Sequence, residues 1–242
     1  MTERSVGQFE KDILANDGYL YTTNARKSSV LANKRLSDIT REMVELRDRC
    51  VIDVGAGDGT YTYEMFATCK PAVMVGVDAA ANAIDTATRK YADAQPGLRF
   101  ERHDVYSMPF RSGSFDVAIV RGLLHHLDDA PKALKEISRL ATDVFVIEPN
   151  GYSPILKLIE RASRYHREHG EKSYSPSRIR HWIRELGGTI EREQFAGIVP
   201  MFCPDWMAEV LKALEPIVEP TPVLRQLLCA VFAVRYRTGG RK

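Results

Sequence analysis

The sequence predicts an α/β domain built on a doubly wound sheet of seven strands, mostly parallel with an antiparallel last strand, and carrying helical cap insertions. Three observations predict it. Short runs rich in Val, Ile and Phe alternate with helical patterns through the middle of the chain. Two of those runs, "FDVAIVR" (115–121) and "DVFVIEP" (143–149), are almost continuously apolar, as strands covered on both faces are. The first run, "VIDV" (51–54), empties directly into a glycine-rich turn, "GAGDG".

The elements follow in order. After "VIDV", the second strand is "AVMVGVD" (72–78), followed by a helix through "NAIDTATRKYAD". "LRFERHD" (98–104) is the third strand, and the two apolar runs above are the fourth and fifth. Between these two, "PKALKEISRL" (131–140) sets Ala133, Leu134, Ile137 and Leu140 on one helix face, with Pro131 in the first turn. "SPSRIRHWIRELGG" reads as a helix capped by Ser175, with Pro176 in its first turn and glycines at its end. "GTIEREQFAGIVP" and "CAVFAVRYR" are two closing strands flanking a helical stretch from about 204 to 228, and antiparallel pairing would make them a reversed last pair. Residues 1–48 are expected to form an N-terminal helical cap and 49–242 the main domain, with insertions at about 151–174 and 203–226. The first insertion follows the fifth strand. It is the expected lid, because ligands of open α/β sheets sit beyond the carboxyl ends of the strands. Its residues Ile155, Leu158, Ile159, Ala162 and Tyr165 share one helix face.

A chain of 242 residues with 44% hydrophobic content can bury a sizeable core. Its formal net charge of +2 argues against wholesale nucleic-acid binding, and no nucleic-acid partner is expected. The four cysteines form no C-x-x-C pair and read as reduced, mostly buried thiols. The longest apolar run, "LLCAVFAV" (227–234), is far short of a membrane span, and the first residues show no secretory pattern, which predicts a cytoplasmic protein. Charge is unevenly spread. Residues 151–185 hold eight Lys and Arg against four acids, whereas 49–150 hold eleven against fourteen. That basic segment suits a lid meeting an anionic acceptor, peripheral contact with an anionic membrane, or an ordinary amphipathic helix with a solvated basic side. Oligomeric state is not legible.

The glycine turn places Gly55, Ala56, Gly57 and Gly59 in the pattern D-x-G-x-G-x-G from Asp53, which differs from the dinucleotide spacing G-x-G-x-x-G. Asp53 and Asp58 beside it suit a ligand carrying an ammonium and a sulfonium better than a pyrophosphate. Further along, Asp78 ends the second strand in "VGVDAA" with Ala79 after it, and Asp104 and Val105 end the third in "HDVYSMPF". In "SGSFDVAIVRGLLHHLDD", Arg121 stands at the exit of the fourth strand, ahead of His125 and His126.

In this order and spacing the motifs resemble the class I S-adenosylmethionine-dependent methyltransferases, particularly their small-molecule, type 11-like group, over about residues 48–150. The resemblance implies a Rossmann-like sheet, S-adenosyl-L-methionine as cofactor, and methyl transfer to an O, N or C atom of a small acceptor, anionic and lipid-linked acceptors included. It also implies that Asp78 accepts both ribose hydroxyls, that Asp104 and the Val105 amide meet the adenine, and that Arg121 lies near the methionine end. Asp53, Gly55, Ala56, Gly57, Gly59 and Ala79 complete the cofactor set, the glycines clearing space for the methionine portion.

The candidates for chemistry are His125, His126 and Glu148. A histidine titrates near neutrality and can take a proton from an acceptor. Neighbouring side chains on a helix diverge by about 100°, so one of the two histidines, His125, is expected to face the site. Glu148 either holds the substrate or buttresses the loop turned by Pro149 and Gly151. No carboxylates show the spacing a magnesium site needs, so no metal is expected. Tyr19 and Tyr21, next to basic residues, are further pocket candidates. Two other readings stay open at this point: an S-adenosylmethionine-binding protein without turnover, and a nicotinamide-dependent oxidoreductase, against which the glycine spacing argues.

Overall fold

Successive residues of the central strands enter two different cores, and this alternation is what covers the sheet on both sides. The computed structural model describes residues 20–23, 25–92, 96–162 and 173–239. Its strands are β1 (Cys50–Val54), β2 (Val73–Asp78), β3 (Leu98–Arg102), β4 (Phe115–Arg121), β5 (Ala141–Pro149), β6 (Thr189–Ala196) and β7 (Val231–Arg237). They form one sheet in the order β3-β2-β1-β4-β5-β7-β6. β1 to β5 are parallel to their neighbours, and β7 runs antiparallel to both β5 and β6. Only β7 is therefore reversed. It is the expected antiparallel last strand, inserted between two that share a direction, so that β6 is not reversed with it.

The helices are α1 (Leu20–Thr23), α2 (Lys27–Met43), α3 (Thr60–Cys69), α4 (Ala81–Ala87), α5 (Ala130–Leu140), α6 (Pro154–Ala162), α7 (Pro176–Glu185), α8 (Asp205–Val218) and α9 (Pro222–Leu228). α4 continues as one π-helical turn, Thr88–Ala92. One core joins Ile52, Val54, Val77, Val120 and Val146 to Leu134 and Ile137 of α5 and to Ile179 and Ile183 of α7. The other joins Val51, Met74, Ile119, Phe145 and Ile147 to Ile39 and Met43 of α2 and Phe66 of α3. Each fully buried aliphatic side chain contributes about 1.5–3 kcal/mol. The second half of α2 is thus a sheet-covering helix as well as part of a cap.

Helix starts follow local chemistry. The Asp129 carboxylate accepts the Lys132 N–H at 3.0 Å and Pro131 fills the first turn of α5. Ser175 accepts the Arg178 N–H at 3.4 Å at the start of α7. Cys203 and Cys229 are buried, Cys50 and Cys69 are half-buried, and all four are free thiols.

The insertion after β5 is pinned at its base. The Gly151 N–H donates to the Tyr174 carbonyl at 3.2 Å, and a Cβ on Gly151 would lie 2.5 Å from that backbone. Lys157 donates to Ser173 Oγ and O (2.6 and 2.9 Å), and Glu160 accepts the Ser173 N–H at 3.1 Å. Ile155 and Leu158 of α6, which the apolar pattern assigns to a packed face, are 52% and 68% exposed. Tyr19, Tyr165 and the side chains of Tyr21, Ile159 and Ala162 fall outside what the structure describes. Among the described residues no helix is long and apolar enough to cross a membrane.

Candidate active site

Strand order reverses between β1 and β4, where Val54 is in register with Val120. Ligand crevices of such sheets open at this switch point. The glycine turn leaves β1 here, and the histidine turn leaves β4.

The turn is held by β2. Gly55 and Ala56 donate to the Val77 carbonyl at 2.8 and 3.0 Å. Asp78 Oδ2 accepts the Gly57 N–H at 3.0 Å while Oδ1 accepts the Ala80 N–H at 2.9 Å. Burial raises the pKa of Asp78, and the amides of Ala80, Gly57 and Ala79 pull it back. One carboxylate thus fastens both loops that leave β1 and β2, and its remaining lone pairs are suited to ribose hydroxyls.

The glycines have a reason other than the ligand clearance expected from the sequence. Gly55, Gly57 and Gly59 all have left-handed φ (86°, 56° and 78°). A Cβ at Gly55 would meet Leu123 at 3.1 Å; at Gly59 it would meet Ala87 at 2.7 Å and Phe100 at 2.8 Å. At these two positions the space is needed by the protein itself. Asp58 caps its own turn by accepting the Thr60 N–H at 3.2 Å, and it also accepts the Thr22 hydroxyl, tying α1 to the turn.

Asp53 is buried, and Thr62 Oγ1 donates to it at 2.6 Å. Burial lifts its pKa to about 6, with the Thr62 hydroxyl and the Arg121 charge acting in the opposite direction. Arg121 lies with its Cζ 3.6 Å from the centre of the Tyr61 ring and donates to Ser37 Oγ at 3.1 Å and Asn33 Oδ1 at 3.3 Å. Its side chain therefore bridges the sheet to α2. Asp104 stands two residues beyond the end of β3, exposed, and accepts the Tyr106 N–H at 3.1 Å; Val105 is buried beside it.

At the exit of β4, Leu124–His126 form a single 3-10 turn. Glu148 on β5 lies wholly buried beneath it: Oε1 accepts the N–H groups of Leu123 and Leu124 at 2.9 and 2.8 Å, and Oε2 accepts the His125 N–H at 3.2 Å. His125 Nδ1 is 2.8 Å from the same Oε2. Glu148 has no surface with which to hold a substrate, and the loop it buttresses is the histidine turn, not the one after Pro149. With a carboxylate as acceptor, Nδ1 carries a ring proton. His126 packs beside His125, ring centres 3.9 Å apart.

Among the described residues of the basic segment, Lys157 pairs with Glu160 and Arg180 with Glu193, and His181 Nε2 lies 3.3 Å from Glu185. Among the described residues no group of three or more His, Cys, Asp or Glu side chains is arranged to hold a metal ion.

Five residues carry functional geometry that the sequence reading did not single out: Asn33, Ser37, Tyr61, Thr62 and Thr22. Asn33 and Ser37 are one helical turn apart, a legible spacing, but nothing local names Arg121 as their partner.

Residues 51–143 match the family model described as a methyltransferase domain. The 27-O-demethylrifamycin SV methyltransferase of Amycolatopsis mediterranei is 32% identical over 130 residues, 49% of this chain and 47% of that protein. The chain spans about half the length of the first curated relatives it matches, 47% and 54%. Among solved structures, the [4+2]-cyclase SpnF superposes with a TM-score of 0.69 at 19% identity, covering 98% of this chain and 97% of that one. Magnesium protoporphyrin IX methyltransferase of Synechocystis PCC 6803 with bound S-adenosylhomocysteine (SAH) gives 0.62 at 15% identity, covering 98% and 96%. Asp53 and Asp78 on β1 and β2, Asp104 just beyond β3 and Arg121 at the end of β4 form a donor set that fits S-adenosylmethionine. The glycine turn, Asp53, Asp78 and Asp104 all lie within the residues matched to the methyltransferase domain, and these matches support the resemblance to class I S-adenosylmethionine-dependent methyltransferases.

Proposed function

We propose that this protein transfers a methyl group from S-adenosylmethionine to a small molecule whose accepting atom gives up a proton, with His125 as the base. S-adenosylmethionine, when bound, supplies an electrophilic methyl group on sulfonium. What remains for the protein is to hold the two reactants in line, exclude water and take the proton.

The observation that carries this reading is the position of the Glu148-oriented His125 next to the glycine turn. Leu123, two residues before it, packs against Gly55. In this reading Asp78 holds the ribose, Asp104 and Val105 the adenine, and Asp53 the ammonium, with Arg121 beside the methionine carboxylate. His125 Nε2 takes the acceptor's proton, and Glu148 keeps the ring in that tautomer and stabilises the positive charge the ring acquires. Such a base suits a hydroxyl or an acidic carbon better than an amine already unprotonated.

The test is transfer of label from methyl-labelled S-adenosylmethionine into an extract of source cells, followed by separation into aqueous, lipid and macromolecular fractions. Label that appears with the wild-type protein and not with Asp78→Ala supports methyl transfer, and its fraction identifies the acceptor class. Cofactor binding with no label in any fraction favours a binder without turnover.

A further inference from the structure

Arg178 is used differently from the arginines that pair with acids. Arg35, Arg139, Arg180 and Arg235 each pair with a carboxylate. Arg178 has no such partner among the described residues. Its guanidinium lies 5.7 Å from the centre of the Tyr174 ring and 5.4 Å from that of Trp182. These two rings meet edge to face at 4.8 Å. Stacking engages the flat face of a guanidinium and leaves its in-plane N–H fork unspent.

Its placement also breaks a local rule. Arg178 sits in the first turn of α7, which holds no acid, although the helix field there favours an anion. A basic residue fixed at such a point by two rings makes electrostatic sense once an anion joins it.

The stack stands beside the site. Tyr174 is clasped to Gly151, three residues beyond Glu148. Tyr106, whose hydroxyl accepts the Asp129 N–H at 3.1 Å, packs against the same core as Tyr174. Half-buried Tyr174 and exposed Arg178, with buried Trp182 behind them, therefore stand at the loop leaving β5, the strand whose Glu148 holds the histidine turn.

We infer that the acceptor is an aromatic molecule bearing a carboxylate, held at the Tyr174–Trp182–Arg178 stack with its carboxylate on the Arg178 fork. This rests on the methyltransferase reading and adds the chemical class of the acceptor. Planar bidentate recognition is the reason for naming a carboxylate.

The sequence contains two tryptophans, so Trp206→Phe leaves Trp182 as the reporter. In that background, benzoate and its neutral isostere benzamide are titrated by fluorescence, with and without saturating SAH. Benzoate is expected to bind at least tenfold more tightly than benzamide. Arg178→Gln should abolish that preference and Arg178→Lys should reduce it, with SAH affinity unchanged in both. Equal binding of the two probes, no benzoate binding, or a preference that survives Arg178→Gln overturns the assignment. The two-probe comparison needs no variant at Arg178 and holds if Arg178→Gln fails to fold. Loss of SAH binding in the parent protein counts against the methyltransferase reading alone, and the benzoate result still decides the ligand class.

Discussion

His125 Nδ1 lies 2.8 Å from Glu148 Oε2, and the same carboxylate accepts the backbone N–H groups of Leu123, Leu124 and His125. A buried acid that both shapes the turn and orients its imidazole couples two properties that mutation can separate. His125→Ala is expected to lower turnover by about 10²- to 10⁴-fold, the usual contribution of a general base, while cofactor affinity changes less than threefold or so. Steady-state kinetics alongside calorimetric titration of S-adenosylmethionine checks this; an unchanged turnover removes His125 from the chemistry.

Asp78 fastens Gly57 and Ala80 and is assigned to the ribose. Hydrogen bonds to a charged group contribute about 1.5–3 kcal/mol, so Asp78→Ala should weaken cofactor binding by about ten- to a hundredfold. Calorimetry on the folded variant measures it, and wild-type affinity would refute the ribose assignment.

Gly59 and Gly113 both have left-handed φ, 78° and 68°, but a Cβ at Gly113 meets nothing within 4 Å, whereas at Gly59 it meets Ala87 and Phe100. Backbone strain of about 1–2 kcal/mol applies to both alanine variants, and overpacking adds about 1–3 kcal/mol at Gly59 alone. Urea midpoints of Gly59→Ala and Gly113→Ala should differ accordingly. Equal midpoints would return the Gly59 requirement to the ligand.

Asp53 predicts a pH dependence. Its folded-state pKa of about 6 lies above the usual value of 3.8, so protonation favours the folded state. That contribution is complete below about pH 4 and is lost as pH rises through about 6, to the extent of about 3 kcal/mol at most. Stability measured without cofactor should fall over this window. Asp53→Asn should flatten the slope; a slope unchanged in the variant assigns it to other groups.

Arg35 joins α2 to the end of α8 through a bidentate pair with Glu219, 2.9 and 2.6 Å, and Glu219 also accepts the Gly197 N–H at 2.9 Å. Removing one partner of a largely buried pair costs about 3–5 kcal/mol. Arg35→Met should therefore lower the melting temperature clearly, and the double variant Arg35→Met/Glu219→Leu should recover part of the loss. Additive losses would contradict the pairing.

The parts of the site legible in the sequence are those that local chemistry writes. Asp78 and Arg121 close apolar strands, Ser175 precedes a proline-started helix, and Gly55, Gly57 and Gly59 require left-handed backbone, all of which a short window contains. Glu148 was legible as a strand-end acid that could buttress a loop, but not as the support of the histidine turn, because its donors come from a different strand's exit. Exposure of Ile155 and Leu158 was illegible for a related reason: helical periodicity states which residues share a face and says nothing of what that face meets.

By itself, then, the sequence determined the alternation of strands and helices, the acids at successive strand ends and the glycine turn, since these follow from side-chain periodicity and backbone preference over a few residues. Tertiary structure alone decided that β7 enters between β5 and β6, that Gly59 yields to Phe100, that α2 reaches Arg121, and that Glu148 fixes His125. Each of these joins residues distant in the chain, and such pairings are chosen by the packing of the whole sheet and its two cores rather than by any local preference.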